Sequence, residues 1–159
     1  MELFNIAIQM EKEGESFYRD IVKKAATPGF KAIFNMLADD EASHRKTFEA
    51  MKKNAPVVMV DSTASEKAEV VFETVTKKDF LSEQSQLSIY EKALEIELKS
   101  IEFYSEQMET LDREDQRKNL ERIIHEERMH YDLIDDIIVL VERPESWVEH
   151  AEFGVREDY

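Results

Sequence analysis

Apolar side chains recur at steps of three and four over most of the chain, and the pattern fails in one long stretch near the middle. From 3 to 26, Phe4, Ala7, Glu11, Gly14, Tyr18, Ile21 and Ala25 fall on one heptad seam, which predicts a first amphipathic helix. Thr27 and Pro28 read as a cap and a first-turn proline, opening a second helix over 28–53 with the seam Phe34, Leu37, Glu41, His44, Phe48 and Met51. So short a turn predicts that the two lie antiparallel. Between 54 and 82 the period is lost: Pro56 precedes the β-favouring run Val57 to Val60 and a polar stretch from Asp61 to Ser65. This predicts a long crossover with room for one short helix over 66–78. A third helix is expected over 83–110, capped by Ser82, with Tyr90, Ala93, Glu97, Ser100, Tyr104, Gln107 and Leu111 on its seam. The fourth, over 113–143, carries Leu120, Ile123, Glu127, His130, Ile134, Ile137 and Val141 and is ended by Pro144. The tail, 145–159, holds Trp147 and Phe153 and is expected to pack back on the bundle.

An offset of 86 lays the Phe17-Tyr18 pair on Phe103-Tyr104. Under it Ala7 falls on Ala93, Glu11 on Glu97, Glu41 on Glu127, His44 on His130, and Leu37 and Phe48 on Ile123 and Ile134. The chain therefore reads as one domain made of two pseudo-symmetric helical hairpins. With the long connection between helices 2 and 3, the expected fold is an all-α, ferritin-like four-helix bundle.

Composition narrows the chemistry. The chain holds 36 Asp and Glu against 21 Lys and Arg, a net charge of −15, which argues against nucleic acid or an anionic membrane as partner. There is no Cys, so disulfides, thiol catalysis and Cys-ligated metals are excluded. No apolar run reaches the ~20 residues of a membrane span, and the start Met1-Glu2-Leu3-Phe4 lacks the basic residues of a signal peptide. A soluble cytoplasmic protein is expected.

In so acidic a chain Glu belongs on the solvated face, yet Glu11, Glu41, Glu97 and Glu127 occupy seam positions otherwise held by Phe, Leu, Ile, Ala and Tyr. Burying an unpaired carboxylate costs several kcal/mol. A buried Glu–Lys or Glu–Arg network could neutralise them, but no Lys or Arg lies on the central turns of those seams. Two divalent cations supply the missing charge, since four carboxylates and two neutral imidazoles balance them. The pairs Glu41-x-x-His44 and Glu127-x-x-His130 place each Glu and His on one helix face. One Glu from each of two helices plus Glu-x-x-His from the other two is the known ligand pattern of ferritin-like dimetal bundles.

Over residues 1 to about 143, Glu11…Tyr18, Glu41-x-x-His44, Glu97…Tyr104 and Glu127-x-x-His130 resemble the rubrerythrin-type diiron-carboxylate proteins of the ferritin-like superfamily. The resemblance implies two iron ions, with Mn or Zn as possible substitutes, bridged by Glu41 and Glu127. It makes Glu11 with His44, and Glu97 with His130, the terminal ligands. It also implies an oxidoreductase that reduces O2 or H2O2 as Fe2+ is oxidised, with no catalytic residue beyond the ligands. Iron storage or scavenging without turnover is the alternative. Rubrerythrins proper carry a rubredoxin iron site built from four cysteines, which these residues cannot form, so a separate electron-donor protein is expected. They also have an additional carboxylate one turn after the third-helix ligand, where this chain has Ser100. A homo-oligomer is expected.

Neighbouring residues have plainer readings. Gly14 and Ser100 are equivalent small residues, suited to close helix packing or to leaving room for O2 or peroxide. Tyr18 and Tyr104 read as core aromatics with buried hydroxyl bonds, of which a bond to a ligand carboxylate is the form to test. Glu15, Glu95 and Glu126 fall off the seam and are expected to be solvated, and His125 and His150 lack ligand phase.

Overall fold

The computed structural model describes residues 2–145; the expected packing of Trp147 and Phe153, and the place of His150, lie outside the described residues. Within the described residues six α-helices follow one another: α1 (Glu2–Lys24), α2 (Pro28–Lys52), α3 (Ala64–Thr74), α4 (Lys77–Ser82), α5 (Leu87–Gln107) and α6 (Glu114–Glu142), with 3₁₀ turns at Gln84–Gln86 and Met108–Thr110. Among the described residues there is no strand, and the architecture is an all-α, ferritin-like bundle of α1, α2, α5 and α6. The β-favouring run of the crossover is extended but unpaired. Its Val57 and Met59 pack on the bundle, while Val58 and Val60 point away and are exposed.

Two apolar clusters close the bundle above and below a polar layer. One gathers Tyr18 and Ile21 of α1, Phe30 to Leu37 of α2, Tyr90 of α5 and Ile134 to Val141 of α6. The other gathers Phe4 and Ala7, Phe48, Tyr104, and Leu120 to Ile124 of the same four helices. Chain order through the clusters shows that α1 is antiparallel to α2, and α5 to α6, while α2 and α5 run the same way. A parallel pair needs a return path, which is why the crossover between them is long.

The structure divides the chain around the crossover differently from the sequence pattern. Thr76 and Asp79 form a reciprocal capping box, which ends the helix that precedes it and starts α4. Ser82 is not a cap: its hydroxyl donates to the Asp79 carbonyl inside the last turn of α4. The turn between α4 and α5 is held by Glu83, which is fully buried. Its carboxylate accepts the backbone N–H groups of Ala26 and Thr27, both at 2.8 Å, and the Tyr90 hydroxyl at 2.6 Å. Tyr90 in turn stacks on Phe34 with ring centroids 5.2 Å apart. Thr27 stands at the N-cap position of α2, but it is this Glu83 bond to its backbone, and not its side chain, that satisfies the turn. Among the described residues no helix is long and apolar enough to cross a membrane.

Candidate metal centre

The polar layer contains all six residues singled out by phase and repeat. Glu11 comes from α1, Glu41 and His44 from α2, Glu97 from α5, and Glu127 and His130 from α6, each at most 2% exposed. Helical spacing brings each Glu-x-x-His pair to one face, and the two apolar clusters seal the layer from both ends. Ligand atoms of Glu11, Glu41, His44 and Glu127 lie within 4.8 Å of one another, and so do those of Glu41, Glu97, Glu127 and His130. The two groups share Glu41 and Glu127. His44 Nδ1 stands 3.0 Å from Glu127 Oε1 and 3.4 Å from Glu41 Oε2, and His130 Nδ1 stands 3.3 Å from Glu97 Oε1.

Behind the histidines are two carboxylates that helical phase did not single out. Glu126, expected to be solvated, is buried, and its Oε1 accepts His44 Nε2–H at 2.7 Å. Asp40 accepts His130 Nε2–H at 2.8 Å. In the neutral ring this arrangement keeps the proton on Nε2 and turns the Nδ1 lone pair into the cluster, as a metal ligand requires. The bonds cross between halves: the acid before Glu127 holds the histidine of α2, and the acid before Glu41 holds that of α6. A signal was present, since Asp40 and Glu126 coincide under the 86-residue offset. Off-seam phase argued against them, because a helix of one half says nothing of what the other half lays against its flank.

The tyrosines cross in the same way. Tyr18 donates its hydroxyl to Glu97, and Tyr104 donates to Glu11 at 2.9 Å. Gly14 abuts the shared carboxylate, for a Cβ added there would lie 3.4 Å from Glu41. Ser100 is buried on the matching turn of α5. Glu15 is half-buried and pairs with Arg19, whereas Glu95 and His125 are exposed, as expected.

So many acids in one dry layer compete for charge. Burial, and then the Glu11 carboxylate, push Glu41 and Glu127 well above the usual carboxylate range. Burial works against the imidazolium form, but Glu11, Glu126 and Glu127 together outweigh it at His44, and Glu97 with Asp40 outweighs it at His130, which rises to about 10. Glu97 is held down at about 2, its burial overcome by His130. Bare side chains therefore hold protons where positive charge is wanted.

Hydrogen bonding still leaves the layer incomplete. Glu41 Oε2, His44 Nδ1, Glu97 Oε2 and both Glu127 carboxylate oxygens are buried without an aligned hydrogen bond, although His44 Nδ1 and Glu127 Oε1 stand 3.0 Å apart. Of the buried side-chain atoms so stranded among the described residues, only Thr27 Oγ1 lies elsewhere. Stranded buried acceptors are rare because each costs ~1–3 kcal/mol. These all aim into one layer, and carboxylate oxygens mixed with imidazole nitrogens suit iron, manganese or zinc.

Fold and layer together define a ferritin-like bundle whose buried Glu/His cluster is compatible with two metal ions. The rubrerythrin family model matches residues 2–138, and the chain belongs to the rubrerythrin family. No curated protein and no solved structure matches it.

Proposed function

We propose that the protein is a diiron oxidoreductase of rubrerythrin type that reduces H2O2 or O2. The observation that carries this reading is the set of stranded acceptors on Glu41, His44, Glu97 and Glu127, two of which residues belong to both four-residue groups. In this reading Glu41 and Glu127, common to both groups, would serve both ions, while Glu11 with His44 would help hold one and Glu97 with His130 the other. When bound, a pair of Fe2+ ions supplies the two electrons that, with two protons, turn H2O2 into two waters. The chain's own residues prepare the place. Asp40 and Glu126 fix the imidazole tautomers and ring directions, Tyr18 and Tyr104 hold the terminal carboxylates, and the apolar clusters keep water out. These residues hold no Cys, so the electrons that restore Fe2+ come from a donor outside this bundle.

The test is anaerobic loading with Fe2+, then sub-stoichiometric H2O2, then a reductant, followed by visible absorption. Repeated appearance and loss of the oxidised band is expected. A band that appears once and grows into a mineral within a large assembly would replace catalysis with storage, and metal binding with no response to oxidant would leave a structural staple.

A further inference from the structure

One serine of the crossover touches both outer carboxylates. Ser62 lies just before α3; its backbone N–H donates to Glu126 Oε2 at 2.9 Å, and its hydroxyl donates to Asp40 Oδ2. The Ala64 N–H donates to the same hydroxyl oxygen at 3.1 Å, which occupies a lone pair and directs the hydroxyl proton towards Asp40. Asp40 Oδ2 is also the atom that accepts His130 Nε2–H, and Glu126 uses its other oxygen for His44. Both chains of contact, from crossover through carboxylate to imidazole, therefore start at this one residue.

The helical frame is duplicated, but the crossover occurs once. Ser62 must consequently meet the two equivalent acids with different groups, a main-chain amide on one side and a side-chain hydroxyl on the other. Asp40 is also the more open of the two, its side chain 18% exposed against 8% for Glu126. A carboxylate with more freedom depends more on a second holder. We propose that Ser62 is a positioning residue that steadies His130 through Asp40 and so makes the two metal positions unequal. The proposal rests on the dimetal reading above and adds to it a difference between the ions.

Replacing Ser62 by Ala removes only the hydroxyl arm; the amide arm to Glu126 remains. Losses behind a metal-bound histidine run to ~10–100-fold in affinity, and Ser62 acts one contact further out, so about tenfold is expected. The experiment is calorimetric and visible-absorption titration of the full chain with Co2+, comparing wild type with S62A, S62T, D40A, E126A and the double variants. Wild type should take up two ions. S62A should weaken one of them about tenfold and leave the other within about twofold, and S62T, which keeps the hydroxyl, should titrate like wild type. In the D40A background S62A should add nothing, whereas in the E126A background it should keep its full effect. If S62A does not fold, S62C, a weak donor of similar size, is titrated in its place, and the same ion should weaken. A merely structural Ser62 would weaken both ions alike, and that result, or unchanged binding in S62A beside a two-ion wild type, overturns the proposal alone. A wild type that takes up no Co2+ overturns the dimetal reading and this proposal with it.

Discussion

The Tyr104 hydroxyl donates to Glu11 Oε1 across 2.9 Å, from α5 of the second hairpin to α1 of the first. The bond satisfies one oxygen of a buried carboxylate and fixes its rotation. Removing the hydroxyl in Tyr104→Phe strands that oxygen, and hydrogen bonds to charged groups are worth ~1.5–3 kcal/mol. Weaker binding of one ion, by about tenfold or more, is expected, with the helical content unchanged; equal Co2+ isotherms for Y104F and wild type would remove Tyr104 from the site.

Metal should stabilise the fold. A ligand at 100 times its Kd adds ~2.7 kcal/mol, and for a chain of this size each kcal/mol moves Tm by ~2–4 °C. Adding Fe2+ anaerobically, or Mn2+, should raise Tm by about 5–10 °C, and a chelator should reverse it. Glu41→Ala, which deletes a carboxylate common to both groups, should abolish the rise. A Tm that responds to metal equally in E41A and wild type would place the ions elsewhere.

The metal-free protein should lose stability as pH rises. Glu41 and Glu127 sit above their ordinary 4.5, and His44 and His130 above their ordinary 6.5, with His130 at about 10. The folded chain thus keeps protons that the unfolded chain releases, so this stability is present below the unfolded pKa and is lost as pH rises through the folded one. Glu97, at about 2, and Asp40, also lowered, act in the opposite sense and lose their contribution as pH falls below about 4. Chelated protein should melt highest near pH 4.5, begin to weaken above it as the unfolded chain sheds the Glu41 and Glu127 protons, and melt progressively lower towards about pH 10 as the histidine contribution is lost too. Metal must displace the same protons, so the gain in Tm on metal addition should shrink as pH falls. A chelated Tm that climbs from about pH 6.5 to about 9 would contradict the charge arrangement.

Gly14 separates packing from access. A Cβ there meets Glu41 at 3.4 Å, an ordinary contact, and Gly inside a helix costs ~0.5–1 kcal/mol relative to Ala. Gly14→Ala should therefore raise the metal-free Tm by about 1–4 °C. Gly14→Leu places further atoms against the Glu41 carboxylate and should weaken metal binding. If G14A instead lowers Tm, the helix is strained at that turn in a way the contact distance does not show.

Glu83 is a different kind of buried acid. It accepts two backbone N–H groups and a tyrosine hydroxyl, and its place is in the turn joining α4 to α5, outside the polar layer. Glu83→Ala strands two amides at ~1–3 kcal/mol each, so a loss of about 3 kcal/mol is expected, read by urea denaturation. Two ions per chain should still bind under conditions where the variant is folded. Loss of metal at full stability would reverse this assignment.

The contrast between Glu83 and Glu97 marks how far helical period reaches. Both are buried acids, but only Glu97 lies on a seam and has a repeat partner, so only Glu97 announces itself. Glu83 is buried by the return of the crossover against the α1–α2 turn, a contact between residues 56 and 57 positions apart. Local period carries no trace of it. The same limit explains Glu126 and Asp40. Helical phase reports the face that a helix turns to its own core, and these acids serve a histidine on the other hairpin.

By itself the sequence determined the bundle, its two-hairpin repeat and the six residues gathered in the polar layer. Each of these depends on interactions that repeat every three or four residues, and an apolar seam interrupted by acids is visible without coordinates. Only the tertiary structure decided which acid holds which histidine, which tyrosine reaches which carboxylate, and that Ser62 binds both outer acids. These are contacts between segments that are adjacent only after the crossover has folded back. Their partners are chosen by the way two similar hairpins face each other, which no single helix encodes.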